Sequence, residues 1–397
     1  MKYTFIIIAG LSFILGQFAR VQLGNVGVTF IDITVGVTAL VWVVKSIFVE
    51  KQKIKITDIE KLLIGFFVSG IIGLALFSSS LSITEIGVAI LYLLRLICYL
   101  SLFYIVKSLG VGEKVKVLKV MVGSGLAIVG IGFLQYFFYQ SLANLRYLGW
   151  DEHLYRLFSS FLDPNFAGAF FAIFLLILLE LLISSRDRNK RVLLSLFLVL
   201  TFIAELLTYS RTGFIMLLVG VGIFLLSFVG KKITVITLLF CIILFFGAAN
   251  SKIEGLNPFR VVSSEARLNS AKDALIIIEK HPLFGVGYNA YRYAQVKMGF
   301  RQELPPFQSH SDAGTDNSYL FVLATSGVVG GVFFLLFLVK VLNKAWIMST
   351  QKVFLGRTFF ASLLAVLVGS LFLNVLFYPM ILAWLMVEGA LIRSKKP

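Results

Sequence analysis

Residues 193–226 read LLSLFLVLTFIAELLTYSRTGFIMLLVGVGIFLL, two long apolar runs joined by the polar heptapeptide Thr208–Phe214. As α-helix each run rises about as far as a thin bilayer core, about 25–30 Å. A helix apolar on every side needs hydrocarbon or protein around it. The pair therefore reads as two membrane-embedded helices with Arg211 at their turn. The rest of the chain agrees. Of 397 residues 59% are hydrophobic and only 14% charged, too little polar surface to clothe a soluble domain. The fold class is all-α, a polytopic membrane protein.

Applying the same length criterion outward places about twelve spans: 3–19, 26–49, 62–80, 85–106, 117–139, 164–184, 192–208, 213–229, 233–249, 317–342, 358–375 and 378–392. They form a single membrane domain over 1–397, with residues 250–316 inserted as a cap between spans 9 and 10. The N-terminal stretch resembles a signal peptide, but Gln17 is a poor cleavage residue and more spans follow, so it is read as the first helix. Basic residues cluster on alternate connections: Lys51 to Lys61, Lys107 to Lys119, Arg186 to Arg191, Lys231 and Lys232, Lys340 to Arg357, and Arg393 to Lys396. The positive-inside rule assigns these, and both termini, to the cytoplasm. The formal charge of +16 is thus laid beside the spans, where membrane lipids rather than nucleic acid are the counterpart. Cys98 and Cys241 lie in apolar runs and only three histidines occur, which gives no disulfide framework and no metal cluster.

The opposite face carries residues 140–163 and 250–316. Within the second, SSEARLNSAKDALIIIEKHP predicts an amphipathic helix capped by Ser263 or Ser264, with Glu265 in its first turn and Pro282 ending it. Leu268, Ala271, Leu275 and Ile278 form its apolar stripe, expected to rest on the membrane domain. HPLFGVGYNA contains a Gly-Val-Gly, but no strand–helix unit surrounds it, so a phosphate loop is weakly supported.

Ser210 can cap the second helix of the opening stretch, whose free amides carry partial positive charge. Arg211 adds a planar, permanently charged fork suited to phosphate oxygens, making an anion seat at a helix N-terminus. The alternative is an arginine that snorkels to lipid headgroups or caps a neighbouring helix. Arg260, Arg267, Arg292 and Arg301 can converge on the same anion; Arg267 stands out, in the first turn of the amphipathic helix. Arg95 in LYLLRLICYL is near mid-span and must face protein, water or an anion, with Glu205 a candidate partner. His310, just before span 10, is placed to take a proton from an incoming hydroxyl, with Asp312 and Asp316 nearby; the alternative is a surface histidine. His281 at a helix end suits capping, and His153 in WDEHLY suits anchoring at the membrane interface.

Four stretches in this order, SSFLDPNFAGAFFA, TYSRTGF, RLNSAKDALIIIEKHPLFGVGYNAY and HSDAGTDNSYLFVLATSGVVGG, resemble the O-antigen ligase and polymerase family of bacterial membrane glycosyltransferases. The resemblance covers about residues 150–340. It implies transfer of a glycan from undecaprenyl pyrophosphate to an acceptor hydroxyl on a glycan or glycolipid, outside the cytoplasmic membrane, without metal or other cofactor. It also implies that Arg211 and Arg267 hold the pyrophosphate and that His310 acts near the acceptor; the reading of the residues themselves adds Ser210, Arg260 and Arg95 as further donors. Pyrophosphate is a good leaving group, so charge stabilisation and alignment suffice, and attack from the face opposite it inverts the sugar. Nothing identifies a lipid A acceptor, which favours repeat-unit polymerisation or general polysaccharide ligation. A transporter or flippase of lipid-linked saccharides is the competing class, though no discontinuous helix pair is evident.

Overall fold

A computed structural model describes residues 3–23, 26–51, 56–228, 230–247, 257, 262–301 and 313–392. The first half comprises α1 (Tyr3–Leu15), a hairpin of β1 (Arg20–Leu23) and β2 (Val26–Thr29), then α2 (Phe30–Val44), α3 (Asp58–Phe77), α4 (Ile83–Lys107) and α5 (Val111–Phe138). Next come α6 (Pro164–Ser184), α7 (Arg188–Leu207), α8 (Arg211–Leu226) and α9 (Lys231–Gly247). The cap contributes α10 (Val262–Lys280) and α11 (Tyr291–Lys297), and α12 (Ser318–Thr350), α13 (Gly356–Gly369) and α14 (Pro379–Leu391) complete the chain. Helix occupies most of each predicted span. Among the described residues six helices are long and apolar enough to cross a membrane, and four more are shorter apolar helices. The fold is mostly helical, as an all-α polytopic membrane protein requires.

Two boundaries differ from the hydropathy reading. Residues 26–29 are not helix: Val26–Thr29 pairs antiparallel with Arg20–Leu23, Arg20 facing Thr29 and Gln22 facing Gly27. The helix starts only after Thr29, whose N–H and hydroxyl both donate to Asp32 Oδ2, at 2.8 and 2.7 Å, a capping box that fixes the boundary. Near the C-terminus α13 stops at Gly369, and residues 370–378 turn back before Pro379 opens α14.

The core lies around α6. From Ala167 to Leu178 nearly every side chain is buried, and α7, α8 and α13 pack around it. Asp163 caps this helix, its Oδ1 accepting the Asn165 N–H at 2.6 Å, and Pro164 supplies the first turn. Gly168 and Gly213 let α6 and α8 touch: a Cβ on Gly213 would lie 2.9 Å from Gly168 Cα and 2.7 Å from Glu205 Oε1.

α12 is broken at Gly327, where φ is 65° and ψ −171°, a region open in practice to glycine alone. The cap segment 282–287 fills the break. Val286 and Gly287 N–H donate to the Ala324 and Thr325 carbonyls at 2.9 and 3.0 Å, while Val328 and Val329 N–H donate to the Pro282 and Leu283 carbonyls at 2.8 and 3.2 Å. Backbone groups freed by the break are thereby paired, as apolar surroundings demand. HPLFGVG is a structural plug, not a phosphate loop. Because it is pinned there, Tyr288, Asn289 and Arg292 follow at fixed positions.

The cap helix is rotated from its expected orientation. Ala274 and Ile277 are fully buried, whereas Leu268 is 62% and Leu275 54% exposed. Its inward face runs through Ser263, Arg267, Ser270, Ala274 and Ile277, so the polar residues at its start face protein. Neither Ser263 nor Ser264 is its cap, since the helix already begins at Val262.

Candidate active site

The turn between α7 and α8 is built from its own sequence. Ser210 caps α8, its Oγ accepting the Gly213 N–H at 3.0 Å. Tyr209 adopts φ 50° to reverse the chain. Arg156, 4% exposed, reaches this turn from the preceding connection: its Nε donates to the Thr208 carbonyl at 2.8 Å, and Nη2 to the Tyr209 carbonyl at 3.5 Å and to Asn165 Oδ1 at 3.2 Å. These carbonyls end α7, where a cation is favourable.

Arg211 is not among the described residues that line the main cavity. Its Nη1 donates to Ser264 Oγ at 3.1 Å and its Nη2 to Ser263 Oγ at 3.2 Å. The guanidinium expected to face an anion directly instead joins the start of α8 to the start of α10. Ser263 stands between it and the cavity beyond.

That cavity has a volume of about 1720 Å³. Its walls come from the hairpin after α1, the middle of α4, residues 145–166, α10, residues 288–301, the approach to α12 and the connection before α14. Among the described residues six arginines line it (Arg20, Arg95, Arg156, Arg267, Arg292 and Arg301) and no lysine does. In a chain whose other connections are lysine-rich, that selection favours planar, bidentate recognition over a diffuse positive field. Arg267, Arg292 and Arg301, all singled out in the sequence, do converge here. Arg260 and His310, with Asp312, lie outside the described residues.

Charge is organised within the wall. Arg95 is paired not with Glu205 but with Asp32, Nε to Oδ1 at 2.7 Å, and the Tyr99 hydroxyl donates to the same oxygen at 2.7 Å. The pairing follows from the capping box, which aims the other Asp32 oxygen at α4. Glu205 is buried behind the α8 turn, against Gly213. Arg20 stacks over Trp150 at 5.8 Å. Burial lowers its proton affinity, and the nearby charges of Arg95 and Arg292 lower it further, so these three cations share one region. Arg301 pairs with Asp273 at 3.3 Å.

A second group faces the cavity from α10 and the start of α12. Ser270 Oγ donates to Thr315 Oγ1 at 3.2 Å and accepts the Asp316 N–H at 3.4 Å. Burial raises the Asp316 carboxyl above the ordinary aspartate range, the charge of Arg267 pulls it back, and that of Asp163 raises it again. His153 also lines the cavity, rather than standing apart as an interface anchor. His281 packs edge-on against Phe77, ring centres 5.2 Å apart.

Sequence reasoning missed Arg20, Arg156 and the Asp32–Arg95 tie. Arg20 and Arg156 sit beside apolar runs, as any interfacial arginine does, and only the fold gathers them. FLDPNF carried a usable signal, because Asp-Pro marks a helix start and so sets Asp163 at a bundle end.

Residues 196–335 match the family model described as O-antigen ligase. That range runs from within α7 through α8, α9 and the cap into α12, and includes the Arg211 turn, α10 and the plugged break. No curated protein matches the chain.

Proposed function

Through residues 196–335 the chain belongs to the O-antigen ligase family, and on that premise we propose that it transfers a glycan from undecaprenyl pyrophosphate to the hydroxyl of a glycan or glycolipid acceptor on the extracytoplasmic side. The observation that carries this reading is the large cavity lined, among the described residues, by six arginines and no lysine. Its volume exceeds the roughly 300–1,000 Å³ of an ordinary small-molecule site, leaving room for donor and acceptor sugars together. It is built from the connections opposite the lysine-rich ones, the face that the positive-inside rule sets outside the cytoplasm.

In this reading Arg20, Arg95 and Arg292 grip the diphosphate. Concentrated cations held by the fold stabilise charge as it develops on the leaving phosphate, and reorganise little as they do so. Arg267, carried by α10, faces the reacting centre beside Asp316. Arg211 supports the site from behind by holding α10 through Ser263 and Ser264. Ser210 sets the turn that aims Arg211. The aromatic residues Tyr147 and Trp150 give sugar rings an apolar wall.

The test is transfer by purified protein in detergent, with a defined lipid-linked donor and candidate acceptors. Product there also separates catalysis from flipping, since no compartments exist. Arg20→Lys and Arg292→Lys each keep the charge and lose the fork, so transfer should fall about 10- to 100-fold, the equivalent of about 1.5–3 kcal/mol for a charged hydrogen bond. Near-full activity in both variants removes the seat.

A further inference from the structure

A transferase that takes a proton from its acceptor needs a group that can hold that proton and is not already engaged. Among the described residues four carboxylates line the cavity: Asp151, Glu152, Asp163 and Asp316. Asp163 accepts the Asn165 N–H and caps α6. Asp151 and Glu152 are solvent-exposed, where a carboxylate is a weak base and water competes for the acceptor. Asp316 differs from all three. It is partly buried at the cavity wall, and among the described residues none donates a hydrogen bond to its carboxylate. Its backbone is nonetheless fixed, because its N–H is held by Ser270 Oγ and Asn317, the next residue, caps α12 by accepting the Tyr319 and Leu320 N–H at 2.9 and 3.0 Å. Ser270 lies one turn after Arg267 on α10, so one helix face positions both the arginine and the aspartate. The Arg267 charge favours the ionised carboxylate.

Resting on the proposed glycan transfer, we propose that Asp316 is the catalytic base for the acceptor. The acceptor hydroxyl gives its proton to the Asp316 carboxylate as its oxygen bonds to the anomeric carbon. The bond from that carbon to the phosphate oxygen breaks, and its electron pair leaves with the diphosphate. Asp316 then releases the proton to solvent, and no other reactant is required. The assignment differs from a base at His310, six residues earlier in the chain.

The experiment compares full-length Asp316→Asn, Asp316→Glu, His310→Ala and His153→Ala with the parent protein in detergent. Donor binding is measured with labelled lipid-linked donor, and kcat is followed across pH. The expected result for Asp316→Asn is unchanged donor affinity and a kcat lower by about 10²- to 10⁴-fold. The parent should lose activity as pH falls through the Asp316 pKa, set between the Arg267 charge on α10 and the Asp163 charge before α6. Asparagine should abolish that acid limb, and Asp316→Glu should keep it at a shifted position. A thiol acceptor, already partly ionised, should narrow the gap between parent and Asp316→Asn. A kcat within about threefold of the parent in Asp316→Asn overturns the assignment. So does loss of donor affinity in parallel with kcat, the mark of a structural counter-charge, or disappearance of the acid limb in His310→Ala or His153→Ala instead. If the parent makes no product from any acceptor, the transferase reading itself fails, a result plainly distinct from a silent Asp316.

Discussion

The most informative perturbation is a double-mutant cycle between Arg211 and the two serines it holds. Arg211→Lys retains the cation but cannot donate through two nitrogens to Ser264 and Ser263, bonds of 3.1 and 3.2 Å. Hydrogen bonds to charged groups contribute about 1.5–3 kcal/mol each, and partial solvent exposure puts these near the low end, so the pair contributes about 3 kcal/mol to docking α10. Losing one bond should weaken docking by about tenfold, and losing both by about a hundredfold. Ser263→Ala with Ser264→Ala removes the same contacts from the other side. The assay is transfer rate together with hydrogen exchange of the α10 amides. If Arg211 acts by holding α10, the combined variant is no worse than the more damaging parent variant, and exchange rises in step with lost activity. Effects that multiply, with α10 protection unchanged, would refute this reasoning and return Arg211 to direct contact with the diphosphate.

Other outcomes follow from the same geometry. Gly327→Ala places a Cβ 2.2 Å from the Leu283 carbonyl carbon and oxygen at a φ of +65°, so about 3 kcal/mol or more of stability should go; a lowered thermal midpoint in detergent measures it. Asp32→Asn leaves the largely buried Arg95 without its anion, a change that costs about 3–5 kcal/mol when one partner of a buried pair is removed. Adding Arg95→Leu should recover part of the folded yield, and no recovery would show that Asp32 matters chiefly as the α2 cap. Arg156→Gln frees the Thr208 and Tyr209 carbonyls and should speed hydrogen exchange at residues 209–212 by about tenfold or more; unchanged exchange would mean the turn stands without it.

Helices were legible because membrane thickness leaves a length signature that needs no tertiary information. Residues 164–184 illustrate it: an Asp-Pro start and a polar SSRDR end bracket a run apolar but for Asn165, Glu180 and Ser184, and α6 spans that range. The break in α12 was illegible for the converse reason. LATSGVVGG is apolar enough to continue as helix, and only pairing with residues 282–287, remote in sequence, makes interruption stable there. The tilt of α10 misled because a soluble-protein rule puts leucines inward, whereas beside a membrane Leu268 and Leu275 can face outward and serines inward. At the site, arginines were visible as residue types, but what each one touches depends on residues far along the chain, as with Arg95 and Asp32 or Arg20 and Trp150. Arg211 was legible as a cation at a helix start, but its contacts with Ser263 and Ser264 were not.

The plug in α12 bears on biogenesis. That span cannot finish as a conventional rod inside the bilayer, since its interrupted middle is completed only by a strand of chain belonging to the cap. Under the proposed topology, completing that span depends on the cap folding back, which would tie assembly of the membrane domain to delivery of the loop across it. A chimaera that exchanged caps between two such proteins would have to move residues 282–287 and α12 together, as one inherited unit.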